Sequence, residues 1–247
     1  MSGSHNKTID VPRASFDVPE LTAEEIQARV LHRDGLMLVI DKPAGLPVHR
    51  GPKGGANLET SFDGLRFGLP RPPVLAHRLD KDTSGCLVLG RHRKATASLG
   101  LLFKHGKIEK TYWAVVEGGP AEDEGTIDMP LGRLNVERGW WQKPDAAGQK
   151  AVTNWKVLGR GNGLAWLALE PVTGRTHQLR VHTSATGWPI VGDNIYGSGP
   201  RFGEPRLHLH SREIGIPISK NKEPVRVVAP APEHMHERLR ACGWNGE

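Results

Sequence analysis

The densest collection of reactive side chains in the 247-residue sequence is the run Ala76 to Gly85, AHRLDKDTSG. It places the carboxylate of Asp80 just after His77 and Arg78 and follows it with Lys81, Asp82, Thr83 and Ser84. A carboxylate among cations can act as a nucleophile or general base, because opposite charge at contact favours its ionised form. The plainer reading is an Asx-turn leading into a strand, since Asp, Thr, Ser and Gly close tight turns through bonds to nearby backbone. A second cluster, Thr173 to His182 (TGRTHQLRVH), carries Arg175, His177 and Arg180. If a helix starts at His177, then His177 and Arg180 share a face, and two basic groups there call for an anion. A solvated basic helix is the plainer alternative. Tyr112, early in an apolar run and one of only two tyrosines, is a third candidate, although an ordinary core tyrosine explains it equally well.

The elements that must position these groups are read from the hydrophobic pattern. Leu36 to Ile40 and Gly85 to Gly90 are unbroken apolar runs bounded by turn residues, which predicts buried strands. Thr22 to Glu25 (TAEE) is a capping box that opens a helix reaching to about Leu31. The spacing of Leu58, Phe62, Leu65 and Phe67 predicts a short helix, and Leu99, Leu102 and Phe103 an amphipathic one from about Lys94 to His105. Alternation predicts strands at 112–116, 151–155 and 164–169, joined by 207–209 and 225–228. Pro232 to Cys242 reads as a helix with proline in its first turn. Most connections are too short for a βαβ crossover, so the expected fold is α+β, a mixed and mainly antiparallel sheet with peripheral helices and a catalytic cleft. Residues 1–19, polar and interrupted by Pro12 and Pro19, are expected to form a flexible tail ahead of one catalytic domain spanning 20–247.

Composition narrows the function classes. Lys+Arg 33 against Asp+Glu 27 leaves a net charge of +6, too small by itself to establish a polyanionic partner. The charge is regional, however: residues 91–110 carry a local +5 from Arg91, Arg93, Lys94, Lys104, Lys107 and Lys110 against Glu109. Such a patch can supply the counterion-release term that drives binding to phosphate backbones, although a solvated helix face rich in Lys explains it at least as well. No stretch nears the ~18 consecutive apolar residues of a membrane helix, so no membrane association is expected. Cys86 and Cys242 lie far apart, with no Cys-x-x-Cys, and imply neither a disulfide framework nor a thiolate metal site. The first residues lack the apolar run of a signal peptide, and Asp10, Asp17 and Glu20 do not fit an Arg-rich transit peptide. The expected location is the cytoplasm.

With these residues in view, the sequence resembles the RluA-type pseudouridine synthases. His77 to Gly85 is similar to their HRLDxxTSG signature. Asp41 to His49 (DKPAGLPVH), Lys110-Thr-Tyr112, Thr173 to His182 and Gly192 to Gly197 (GDNIYG) are similar to the family's other blocks, in the same order. The resemblance spans about residues 34–230, without an RNA-binding module of the S4 type before Leu36 and without a counterpart for 201–223. It implies an isomerase that breaks the N1–C1′ bond of uridine and rejoins C5 to C1′. That chemistry needs no cofactor and no metal. Asp80 would be the nucleophile, Arg180 would pair with it and keep it ionised, and Tyr112 would stack on the uracil and accept or relay the C5 proton. Arg78 would fill the stack left by the flipped base, with His77 and Arg175 as phosphate or loop-positioning contacts. The implied partner is structured RNA, a ribosomal or transfer RNA stem-loop, bound by a monomer.

Other readings were open to the same residues. A non-catalytic RNA-binding protein would use the basic surface without needing Asp80. Asp80-Lys-Asp82-Thr83 also fits the start of a Mg²⁺-dependent aspartyl phosphotransferase, but His77 and Arg78 interrupt the apolar strand that such a site requires. His208-x-His210 and His234-x-His236 lack a third ligand at a recognisable spacing for a metal hydrolase. Ser84 lacks the G-x-S-x-G elbow.

Overall fold

The computed structural model describes residues 19–51, 54–135, 140–201, 203–219 and 221–246. The tail expected over 1–19 lies almost wholly outside them. α1 (Ala23–Gln27) opens with the expected capping box, Thr22 and Glu25 bonding reciprocally to each other's backbone. It ends four residues earlier than its sequence suggested, because Val30 to Arg33 is claimed as strand β1 by the neighbouring β2 (Met37–Lys42). The hairpin between them turns on Asp34, whose Oδ1 accepts the Leu36 and Met37 N–H groups. A 3₁₀-helix (Leu58–Leu65) replaces the short helix expected there.

The remaining strands are β3 (Val74–Leu75), β4 (Ser84–Gly90), β5 (Glu109–Glu117), β6 (Glu124–Asp128), β7 (Leu131–Arg133), β8 (Gln142–Pro144), β9 (Val152–Gly161), β10 (Leu164–Pro171), β11 (Leu209–Ile216) and β12 (Val225–Val228). The helices are α2 (Arg93–Lys104), α3 (Gln178–Ala185) and α4 (Glu233–Ala241). The main sheet runs β1-β2-β4-β11-β5-β10-β9-β6, with β3 on β4 and β12 on β11, while β7 and β8 form a separate hairpin. Among the described residues the pairings are antiparallel except where β4 meets β11, His210 against Ser84 and Ser211 against Gly85. The α+β class and mainly antiparallel sheet are therefore as expected. The stretch 201–223 that matched no family block contributes the central strand β11. Among the described residues no helix is long and apolar enough to cross a membrane.

Both faces of β2 and β4 are covered, which is why they read as continuous apolar runs. Leu38, Ile40, Leu87 and Leu89 pack under the 3₁₀-helix with Leu58, Phe62 and Leu65. Met37, Val39, Cys86 and Val88 pack on Leu99 of α2 and on Ile214 and Val227. Further along the sheet, Ala114, Leu167, Leu169 and Leu209 bury Leu179 of α3, while Val115 backs onto Met235 and Leu239 of α4. Each fully buried Leu or Ile contributes about 1.5–3 kcal/mol through removal from water. The clamping of α3 against one face fixes the cleft described below.

Three histidines, His208 and His210 in this core and the half-buried His77 at its edge, are neutral. Burial pushes His77 down to about 3 and His208 and His210 to about 4, from an ordinary value of 6.5. Below pH 6.5 the unfolded chain takes up these protons and the native chain does not. Stability is thus fully present above that value and falls as the pH drops toward 4, by about 1.4 kcal/mol per pH unit for each histidine. Urea midpoints across this window are expected to fall steadily on acidification, and a flat profile would contradict the buried neutral rings.

Candidate active site

The loop carrying Asp80 leaves β3 and enters β4, and it is held from beneath by a buried cation. Lys42, at the end of β2, is fully buried and donates to the carbonyls of Pro43, Lys81 and Thr83, each at 2.8 Å. All three ammonium protons are therefore satisfied. Burial still pulls the amine down to about 7, against the opposing pull of Asp82, Asp80 and Asp41. The Gly45 N–H adds a bond to the Lys81 carbonyl at 2.9 Å, and Thr83 N–H closes the turn on Asp80 O at 3.2 Å. Where the loop becomes β4, Ser84 Oγ meets His210 Nδ1 at 2.8 Å, and Gly85 sits at φ +102° against β11. A side chain at Gly85 would run into the Ser211 carbonyl, so glycine is required both by the backbone angle and by the close approach. His77 is likewise structural: its Nε2 accepts the Val88 N–H at 3.0 Å and its ring stacks on Phe103 at 4.1 Å.

The second cluster approaches Asp80 from α3. This helix begins at Gln178, one residue later than the sequence suggested, because His177 takes the left-handed conformation at φ 54°, ψ 17°. Such angles are uncommon outside glycine and place the imidazole beside Asp80, with Nε2 3.6 Å from Oδ2. Its Nδ1 lies 2.8 Å from the Tyr196 hydroxyl. The Gln142 N–H donates to that same hydroxyl oxygen at 2.9 Å; with the phenolic proton directed at Nδ1, the ring proton sits on Nε2, facing the carboxylate. Burial lowers the His177 value, with Arg180 and Arg78 adding to it and Asp80 opposing. Arg180 is 3% exposed. Its Nε and Nη2 are gripped by Asp193 at 2.8 and 2.7 Å, while Nη1 stands 4.0 Å from Asp80 Oδ2. The guanidinium fork thus belongs to Asp193, and Asp80 receives the remaining edge. Burial works against the guanidinium charge, but the hydrogen bonds and charge of Asp193, followed by the charge of Asp80, outweigh it and hold Arg180 above its ordinary value.

Tyr112, half-buried on β5, bonds to Ser211, and burial pushes its phenol well above the ordinary range. Two clefts meet at Asp80. One, of about 410 Å³, is lined by Tyr112, Arg78, Lys104, Lys110 and Arg175. The other, of about 810 Å³, is lined by Arg50, Arg78, Trp140, His177 and Arg201. Arg78 is exposed and borders both. Arg175 is exposed, with Nε bonded to the Lys150 carbonyl at 2.9 Å. Within the basic run 91–110, Lys104 and Lys110 line the first cleft, whereas Arg91 is spent on the carbonyls of Asp34, Arg66 and Phe67. The paired histidines are occupied by backbone: His208 bonds Arg206 O, His234 bonds Leu207 O and His236 bonds Ala231 O. Among the described residues no group of three or more His, Cys, Asp or Glu could hold a metal ion.

The fold therefore gathers Asp80, Arg180, His177 and Tyr112 from segments far apart in sequence, with Arg78 and Arg175 on the rims. Sequence reasoning did not single out Asp193 and Tyr196, although both lie in the block Gly192 to Gly197, nor Lys42 in the block Asp41 to His49. The family model described as RNA pseudouridylate synthase matches residues 36–185, more than half of the chain. The chain belongs to this family. An uncharacterized RNA pseudouridine synthase of Zymomonas mobilis is 44% identical over 207 residues, covering 83% of this chain and 94% of that protein. Another from Bacillus subtilis is 36% identical over 226 residues, covering 89% of this chain and 78% of the relative. Among solved structures, human RNA pseudouridylate synthase domain containing 4 superposes with a TM-score of 0.73 at 29% identity, covering 88% of this chain and 95% of the other. The RNA pseudouridine synthases are isomerases that act on RNA, and the chain has their mixed sheet.

Because Lys42 is the common anchor of the synthase loop, Lys42→Met is expected to orphan three carbonyls. Each buried orphan costs about 1–3 kcal/mol, so the variant should show a clearly lower urea midpoint and lose turnover as the Asp80 loop loosens. Lys94→Met, on the exposed face of α2, should stay within about 0.5 kcal/mol of the parent. Equal midpoints for the two variants would contradict the anchoring role.

Proposed function

We propose that the protein isomerises specific uridines in structured ribosomal or transfer RNA, with Asp80 as the nucleophile and Arg78 assisting base flipping. The observation that carries the reading is the position of Asp80, one-quarter exposed at the junction of two basic clefts and faced by Arg180 and His177. Asp80 attacks C1′ and the N1–C1′ electrons pass to the uracil. The freed ring turns over Tyr112, C5 bonds to C1′ as the carboxylate leaves, and the ring loses its C5 proton while N1 gains one. Since burial keeps the Tyr112 phenol protonated, it acts as a stacking surface and a relay through Ser211 rather than as an ionised base. His177 and Arg180 aim the carboxylate, while His77 holds the loop and Arg175 and Lys104 offer charge to phosphate. All the groups given these roles come from one chain, which supports action as a monomer, and the two free, buried cysteines suit a reducing cytoplasm.

Extracting a stacked base costs a few kcal/mol, and the planar guanidinium of Arg78, exposed beside Asp80, suits the vacated space. Asp80→Asn or Asp80→Ala is expected to abolish pseudouridine formation, mapped in total RNA from cells with and without the gene, while RNA affinity stays within a few-fold. Turnover by either variant would overturn the nucleophile. Arg78→Met is expected to slow conversion in a stem by about tenfold more than in a single strand. Equal losses on both substrates would remove the stack-filling role.

A further inference from the structure

Trp140 is, at 57%, the most exposed large apolar side chain among the described residues. Isolated exposed apolar residues are common and by themselves signify nothing. Val74, Val172 and Leu101, which come next in exposure, border neither cleft as an aromatic surface. Trp140 is distinguished by its place: it forms a wall of the larger cleft, and one edge of the contact is His177, ring centroids 5.3 Å apart at 87°. That T-shaped arrangement uses the indole for support while leaving ring surface to solvent. Trp141 braces it from behind at 5.8 Å and is itself tilted against Tyr196. The indole thus rests on His177, the ring that also faces Asp80.

The surroundings specify the occupant. Arg50, Arg78, Lys81 and Arg201 border this cleft beside the carboxylates of Asp80 and Asp82, a lining that remains positive on balance and suits a sugar–phosphate chain. An exposed indole set among arginines is the usual means of holding an unpaired base, because every base offers a π-face and the arginines take the adjoining phosphates. Tyr112 lines only the smaller cleft, whereas Asp80 and Arg78 line both. A strand whose target uridine reacts at Asp80 over Tyr112 would therefore lead its neighbouring nucleotide into the larger cleft.

We infer that Trp140 forms a second base-binding subsite, stacking the unpaired nucleobase adjacent to the target uridine while Arg50 and Arg201 hold its phosphates. The inference rests on the RNA isomerase reading above for the identity of the strand, and it adds a determinant of substrate choice: the neighbour must be unpaired or easily unstacked.

The test is equilibrium binding, read by fluorescence anisotropy in the full-length Asp80→Asn protein, so that no turnover alters the probe. One probe is a labelled single-stranded RNA a dozen nucleotides long with alternating adenosine and uridine. The other has the same length and charge but abasic ribose at each adenosine. In this background Trp140→Ala is expected to weaken the first probe by about tenfold and the second by little, with Trp140→Tyr close to the parent on both. Thermal midpoints of the variants, matched to the parent because the residue is exposed, separate stacking from unfolding. The subsite is overturned if Trp140→Ala binds both probes as tightly as the parent, if it loses equally on both, or if the tyrosine variant is as weak as alanine at an unchanged midpoint. Binding without turnover reads this subsite alone, whereas failure of the isomerase reading would appear as absent pseudouridine formation by the wild-type chain.

Discussion

The site is organised around one buried cation. Placing the Arg180 guanidinium in the interior costs several kcal/mol unless its charge and donors are met. Asp193 meets them with a two-pronged grip, and Asp193 is itself fixed by the Ile195 and Tyr196 N–H groups. Burial would push its carboxyl up, but the hydrogen bonds and charge of Arg180 hold it below the ordinary range. The turn 193–196, helix α3 and the Asp80 loop thus share a single electrostatic constraint. Because Asp193 takes the Nε–Nη2 edge, Asp80 is left with looser contacts and remains accessible. The separation gives structural work to the buried acid and leaves the other, one-quarter exposed, open to the clefts.

A second buried cation, Lys42, performs the equivalent service beneath the loop with carbonyls instead of carboxylates. Three backbone oxygens satisfy it without adding charge, so the loop is gripped firmly without a further carboxylate. His77, His177 and His210 extend the same principle: each is a ring held below its ordinary value by burial, and each fixes a backbone or side-chain position around the Asp80 loop.

Much of this was legible in the sequence because local patterning and global fold agree. β2 and β4 are buried on both faces and read as apolar runs; α2 reads from its apolar spacing and α4 from the proline at its start. β1 was not legible, since Val30 to Arg33 continues the polar rhythm of α1 and becomes a strand only through pairing with β2. β11 was foreshadowed only at its first residue, because His210, Ser211, Arg212 and Glu213 look like surface and are accommodated centrally by Ser84, Trp113 and the Ala229 carbonyl. The motif residues around Asp80 announced themselves by type. Which acid would hold Arg180 depended on a contact between α3 and the turn that follows it, and no spacing rule distinguishes Asp80 from Asp193 as the tighter partner.

The meeting of β4 with β11 has a consequence for the life of the protein. Asp80 comes from the part of the sheet built by β1, β2 and β4, while Tyr112, His177, Arg180 and Asp193 come from the part beyond β11. β11, which lies between the two, follows every other strand of that path in the sequence. A growing chain therefore presents Asp80 before the strand that joins the two parts of the sheet exists, and long-range pairings of this kind are the slow ones to form. The residues around Asp80 can therefore be gathered into one cleft only after β11 has been made and has joined the two parts of the sheet.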